Sequence, residues 1–266
     1  MSIYWIVGSI YYFFIKEKPF NRSLLVKSEH QQVEGISFLL ACYNESETVQ
    51  DTLSSVLSLE YPEKEIIIIN DGSSDNTAEI IYDFKKNHDF KFVDLEVNRG
   101  KANALNEGIK QASYEYVMCL DADTVIDDDA PFYMIEDFKK NPKLGAVTGN
   151  PRIRNKSSIL GKIQTIEYAS IIGCIKRSQS LAGAINTISG VFTLFKKSAL
   201  KDVGYWDTDM ITEDIAVSWK LHLFDYEIKY EPRALCWMLV PETIGGLWKQ
   251  RVRWAQGGHE AVSYTH

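Results

Sequence analysis

The first half of the chain alternates between two hydrophobic patterns. Short, nearly unbroken apolar runs fall at residues 35–41, 65–70 and 116–120, and residues 90–97 read as a further strand. Runs of that length with few polar interruptions suit strands covered on both faces of a parallel sheet. Between them, apolar residues recur at helical spacing. Val49, Leu53, Val56 and Leu57 predict a helix with Ser46 as N-cap, ended by Tyr61-Pro62. Further helices are predicted near 76–87 and in the stretch ending near Gln111. Strand and helix alternate at intervals of roughly 25–30 residues, which predicts an α/β fold with a doubly wound, mostly parallel sheet flanked by helices.

The second half is less regular. Residues 144–150 and 186–195 read as strands, the latter containing Ser189-Gly190. Residues 157–180 form a long amphipathic segment, expected to be helical, and 226–240 read as two short strands broken at Pro232. From 241 onward a helix mixes aromatic and basic residues, a composition suited to a membrane surface. At the other end, residues 3–15 are uncharged and rich in Ile, Tyr, Phe and Trp, with Lys16, Lys18, Arg22 and Lys27 directly after them. This is short of the roughly 20 residues of a full span. It reads as an incomplete span or interfacial anchor, with the positive flank placing the rest of the chain in the cytoplasm. Residues 16–34 read as a linker.

Composition changes this picture little. The chain has 266 residues, 45% hydrophobic and 24% charged, as expected of a globular chain with a real core. A formal net charge of −7 argues against nucleic-acid binding through phosphates. The widely spaced Cys42, Cys119, Cys174 and Cys236 form no zinc or redox pair and read as buried thiols.

The candidate chemistry sits where strands end. Each predicted parallel strand runs into a polar cluster: Tyr43, Asn44 and Glu45; then Asp71; then Arg99 and Lys101; then Asp121 and Asp123. Parallel strands point their carboxyl ends one way, so these clusters should share one edge, where open α/β sheets bind ligands. An Asp-x-Asp pair there is what a divalent cation on a diphosphate requires. Thr212-Glu213-Asp214 could supply a base. Gln250-x-x-Arg253-Trp254 offers a donor, a cation for a diphosphate and a flat face for a sugar. Taken singly, Asp71 could be a turn residue, and Glu213 and Asp214 could simply favour a helix N-terminus. Asp127, Asp128 and Asp129 read as solvent-facing or capping.

Together, Asp71, Asp121-x-Asp123, Thr212-Glu213-Asp214 and Gln250-x-x-Arg253-Trp254 resemble the signature of the family 2 processive glycosyltransferases, to which cellulose, chitin and hyaluronan synthases belong. The stretches 39–47, 99–106 and 248–258 are most similar to the branch of that family that builds β-1,6-linked poly-N-acetylglucosamine. The resemblance implies a GT-A-like fold and inverting, metal-dependent transfer from UDP-N-acetylglucosamine (UDP-GlcNAc) to a poly-GlcNAc acceptor. By that resemblance Tyr43, Glu45 and Asp71 contact the uridine, and Lys101 lies near the nucleotide. Asp121 approaches the donor sugar or diphosphate, Asp123 binds Mg²⁺ or Mn²⁺, and Asp214 is the general base. Gln250 and Arg253 hold the diphosphate, Trp254 stacks on the acceptor, and Ser189, Gly190 and Glu213 lie on the acceptor side. The implied organisation is an anchor over 1–16, a linker over 17–34, a catalytic domain over 35–240 and an interfacial helix over 241–266. Within the catalytic domain, 35–150 is the nucleotide-binding part and 151–240 the acceptor part. Family members carry membrane helices beyond the Gln-x-x-Arg-Trp motif, so the chain is expected to be a truncated product on the cytoplasmic side of the cell membrane, beside lipid and a small partner subunit. A nonprocessive transferase acting on a lipid or protein acceptor, or a catalytically silent membrane-associated binding protein, are the alternatives.

Overall fold

The structure is a computed structural model and describes residues 3–17 and 33–264. Most of the predicted linker lies outside the described residues. In chain order the elements are α1 (Ile3–Ile15), β1 (Ile36–Cys42), α2 (Val49–Ser58), β2 (Lys64–Asp71), α3 (Thr77–Lys85), β3 (Lys91–Leu95), α4 (Lys101–Gln111), β4 (Tyr116–Asp121) and β5 (Val125–Ile126). They continue with α5 (Ala130–Lys140), β6 (Leu144–Ile153), α6 (Ile159–Tyr168), a π-helical segment (Ala169–Ile175), α7 (Lys176–Ala182), β7 (Phe192–Lys196), α8 (Lys197–Asp202), α9 (Glu213–Leu223), β8 (Glu227–Met238) and α10 (Ile244–Tyr264).

One eight-stranded sheet has the order β3-β2-β1-β4-β7-β6-β8-β5. The first four strands are parallel, as their apolar runs predict. Successive side chains of β1 go to opposite faces. Phe38 and Leu40 pack with Val49, Leu53 and Val56 of α2 and Met134 of α5, while Leu39 packs with Leu105 and Ile109 of α4. That is why β1, β2 and β4 show no polar alternation, since both faces are covered, whereas edge strand β3 exposes Lys91 and Asp94. On the α4 side the approach is close. A Cβ on Gly108 would sit 2.6 Å from Ile69 Cδ1, so glycine lets the helix lie against the sheet.

β7 runs against its neighbours β4 and β6. Its first residue, Phe192, therefore pairs with Leu120 at the end of β4, and the Asp121 amide donates to Val191 O at 3.2 Å. This reversal brings Ser189 and Gly190 to the edge where β1, β2 and β4 finish. Phe192 is fully buried and fills the space left by Gly149, whose absent Cβ would fall 2.2 Å from its ring. Phe192→Ala is expected to destabilise the fold by about 3–5 kcal/mol, read as a lowered urea midpoint at unchanged slope. A shift below about 1 kcal/mol would show that the site collapses to fill the void.

Several expectations are corrected. Ser46 is not the N-cap of α2. Thr48 holds that position, its hydroxyl turned to Glu45 Oε2, while the Ser46 amide donates to Asp75 Oδ2 at 3.1 Å. The strand expected over 186–195 shortens to β7, because residues 187–190 are held by side chains rather than by a ladder. The two strands expected around Pro232 are one, β8, carrying a bulge: its pairing with β6 jumps from Thr148↔Tyr230 to Asn150↔Leu235. Asn150 Nδ2 reaches Pro232 O at 2.8 Å inside the bulge, and Arg233 makes a forked pair with buried Glu231. Proline is tolerated there because a bulge needs no ladder donor. The segment over 157–180 is helical as expected, but its middle turns are π-helical, a form common near functional sites. All four cysteines are free; Cys174 is half-buried rather than buried.

α1 packs against the π-helical segment and α7. Tyr12 is buried, Ser178 Oγ donates to Trp5 O at 2.8 Å, and Arg177 pairs with Glu17 at 2.9 and 3.1 Å. Its other face exposes Ile3, Val7, Ile10 and Phe14. Among the described residues no helix is long and apolar enough to cross a membrane.

Candidate active site

The strand order reverses between β1 and β4, since β1 is followed in the chain by β2 on one side and flanked by β4 on the other. Outside the carboxyl ends of these strands lies a cavity of about 780 Å³. The assigned site residues all reach it: Tyr43, Glu45, Asp71, Lys101, Asp121, Asp123, Ser189, Gly190, Glu213, Asp214, Gln250, Arg253 and Trp254; Asn44 and Arg99 of the strand-end clusters do not line it. The four clusters, up to 183 positions apart in the chain from Asp71 to Trp254, meet in one place.

The elements explain how each side chain arrives. Asp71 closes β2 and is buried. Its two oxygens accept the Arg99 and Gly100 amides at 3.0 and 2.8 Å, pinning the loop that starts α4. Gly100, at φ +90°, turns that loop, and Lys101 comes next as the first residue of the helix. Lys101 Nζ bonds Asp121 Oδ1, donates to Gly190 O at 2.9 Å and lies 3.4 Å from Glu213. Burial works against its charge, but Asp121 and Glu213 outweigh that and hold its pKa above the ordinary lysine value.

Asp214 lies in the first turn of α9. Its Oδ1 accepts the Ile215 amide at 2.9 Å and its Oδ2 the Gly190 amide at 3.1 Å. Burial first, then Glu213, raise its pKa, with Lys101 and the two amides opposing. A carboxyl raised in this way is a stronger proton acceptor than a free aspartate.

Asp123 is pushed up to about 7 by burial, by Asp121 and by Glu45. Glu45 is itself raised, chiefly by burial, against the hydrogen bond from Thr48. Six carboxylates line the cavity (Glu45, Asp71, Asp121, Asp123, Glu213, Asp214) against three cations (Lys101, Lys176, Arg253). A diphosphate would be repelled by that surplus unless a cation entered with it. Among the described residues no three His, Cys, Asp or Glu side chains converge as a metal cage. The site therefore fits a hard divalent ion held by one or two carboxylates and completed by phosphate oxygens and water.

α10 closes the site from above. Arg251 pairs with Glu167 of α6 at 2.6 Å, and a Cβ on Gly257 would fall 2.3 Å from Thr212 Cγ2, so the helix rests directly on the turn before α9. Gln250 Oε1 is buried without a partner, an acceptor left for a ligand, and Arg253 makes no ion pair among the described residues. Trp254 is braced by the Arg251 guanidinium, 4.3 Å from its ring, and by Tyr168, 6.4 Å away. Trp248, on the same helix, is exposed and does not line the cavity. Tyr43 is exposed at the rim. The cavity wall also contains Tyr168, Ile171, Ile172 and Lys176, which the sequence did not single out. A lone lysine in an amphipathic helix carries no signal that it points inward.

The sequence profile described as glycosyl transferase family 2 matches residues 37–204. The chain belongs to that family. It is 99% identical over 262 residues to a poly-beta-1,6-N-acetyl-D-glucosamine synthase of Staphylococcus epidermidis, and 78% identical to that of Staphylococcus aureus strain COL. Both alignments cover 98% of this chain and 64% of the relative, so the chain spans about two thirds of their length. Among solved structures it resembles the mannosyltransferase PcManGT of Pyrobaculum calidifontis, in complex with GDP-Man and Mn2+, with a TM-score of 0.72 at 20% identity, covering 98% of this chain and 72% of that one. It also resembles S. aureus TarS 1-349 in complex with UDP-GlcNAc, with a TM-score of 0.60 at 18% identity, over 79% and 59% of the two chains. The GT-A-like fold expected from the sequence is thereby borne out.

Proposed function

We propose that this family 2 chain transfers N-acetylglucosamine from UDP-GlcNAc to the end of a β-1,6-linked poly-N-acetylglucosamine chain, with inversion at the anomeric carbon. One observation carries the reading. A buried carboxylate with a raised pKa, Asp214, shares a cavity with the Asp121–Asp123 pair and with the Gln250, Arg253 and Trp254 face. The names of the relatives 99% and 78% identical support the product, and the TarS complex supports UDP-GlcNAc as donor.

The chemistry comes from placement. An acceptor hydroxyl attacks the anomeric carbon, the bond to the diphosphate oxygen breaks, and UDP leaves with the electron pair. Asp214 takes the hydroxyl proton. A single base on the acceptor side, with no second carboxylate assigned as nucleophile, gives direct displacement and a β-linkage from an α-donor. Tyr43, Glu45 and Asp71 form the uridine side, Lys101 and Asp121 lie toward the donor sugar and diphosphate, and Gln250 and Arg253 hold the diphosphate. Trp254, Ser189, Gly190 and Glu213 form the acceptor side. Mg²⁺ or Mn²⁺, held by Asp123, would neutralise charge on the leaving diphosphate when bound. The exposed apolar face of α1 and the exposed Trp248 of α10 suit a membrane surface; its cytoplasmic side and a small partner subunit follow from the family resemblance alone.

Incubating the chain with radiolabelled UDP-GlcNAc, Mn²⁺ and short β-1,6-linked acceptors should give labelled, lengthened product. Competition with unlabelled UDP-sugars should show preference for the N-acetylated one. No transfer under any metal, or preferential use of another sugar, would overturn the reading. Products one residue longer on a lipid acceptor would point instead to a nonprocessive enzyme.

A further inference from the structure

The segment 187–190 separates the donor carboxylates from Asp214, yet it belongs to no helix or strand. Its backbone is held largely by side chains. The Ile188 amide donates to Ser218 Oγ at 3.0 Å, the Ser189 amide to Thr148 Oγ1 at 2.9 Å and the Gly190 amide to Asp214 Oδ2 at 3.1 Å. Gly190 O accepts from Lys101, and Thr187 O accepts from Lys176 Nζ. Four of these five clamps come from the sheet or from helices α4 and α9, which frame the site. Lys176 alone comes from the other side of the cavity, at the junction of the π-helical segment and α7.

We infer that Lys176 is a positioning residue for Asp214: by holding Thr187 O it sets where Gly190 presents its amide to the base. Three observations point there. The lysine is buried, only 5% exposed, yet lines the same cavity as Asp214. A buried ammonium is costly unless it is used, and the one hydrogen-bond partner of its Nζ among the described residues is a carbonyl of this segment. Burial lowers its pKa to about 8, with Asp214 opposing.

The brace behind it is the second half of the inference. The two residues after Lys176 hold α1 and the turn that follows it: Ser178 Oγ donates to Trp5 O, and Arg177 pairs with Glu17. α1 also fits closely there, since a Cβ on Gly8 would lie 2.6 Å from Ser178 Oγ. A continuous set of contacts therefore runs from α1 through Arg177, Ser178 and Lys176 to Thr187, Gly190 and Asp214.

Lys176→Met keeps the apolar stem and removes the ammonium. Hydrogen exchange at the Ile188, Ser189 and Gly190 amides is expected to quicken at least about tenfold, with melting temperature and Mn²⁺-dependent UDP binding unchanged. Lys176→Arg, which keeps a charged donor, should restore most of the protection. Lys176→Gln, measured alongside, keeps the test standing if the methionine variant does not fold. Where wild type transfers sugar, Lys176→Met should lower kcat about tenfold and leave KM for UDP-GlcNAc unchanged. The consequence for rate rests on the transferase reading, but the exchange measurement does not. Inactive wild type would sink the proposed function alone. Unchanged exchange at 188–190 in Lys176→Met, or unchanged kcat in an active background, would overturn the role of Lys176.

Discussion

Asp214→Asn is expected to lower sugar transfer by about 10²–10⁴-fold, the usual worth of a general base, while UDP affinity stays within about twofold. The asparagine is nearly isosteric but cannot take a proton. It also offers one acceptor where Asp214 serves two amides, those of Gly190 and Ile215, so a stability loss of about 1 kcal/mol should accompany it. A thermal melt separates that from the catalytic loss. The pH profile adds a second reading. The base must be ionised to act, so the rate should rise with pH through its pKa. Burial and Glu213 place that pKa above the ordinary aspartate value of about 3.9. At Mn²⁺ concentrations that stay saturating across the pH range, the acid limb should therefore lie above the ordinary range in wild type and vanish in the asparagine variant. Residual transfer with an unchanged acid limb would assign the base elsewhere.

Asp123→Ala is expected to weaken Mn²⁺-dependent UDP binding by at least about tenfold, or about 1.4 kcal/mol, and to leave metal-free UDP binding nearly unchanged. Asp123 is held up to about 7 by burial and by neighbouring carboxylates. A metal must displace that proton to use the oxygen, so wild-type metal affinity should fall as pH drops below about 7. In Asp123→Ala this pH dependence should flatten. Titration calorimetry on either side of that pKa, with and without Mn²⁺, checks both points. Equal UDP affinity in the variant with metal present would remove Asp123 from the metal site.

The parallel half of the sheet was legible because its cause is local. Strands buried on both faces must be apolar throughout, and each ends at a polar cluster that the shared strand direction carries to one edge. Asp71, Asp121 and Asp123 could be placed that way. The antiparallel insertion of β7 could not, since nothing in Phe192–Lys196 marks its direction. The bulge at Pro232 was misread because proline signals a break and does not say whether the strand resumes. Lys176 escaped notice for a different reason. Its role depends on a carbonyl 11 positions away, across a turn that has no periodic pattern. The Gln250, Arg253 and Trp254 group was legible only by resemblance, because the docking of α10 depends on contacts distant in the chain, Arg251 with Glu167 and Gly257 against Thr212.

The reversed course of β7 has a practical side. Because that strand enters the sheet from the opposite end, the short stretch before it meets Lys101 and the end of β4 at its last residues, through Gly190 O and Val191 O. Changing the side chains of Thr187 and Ser189, which line the cavity just ahead of that strand, should thus alter which acceptor the proposed transferase takes while the grip on the nucleotide survives, making these two positions a natural first choice for redesign.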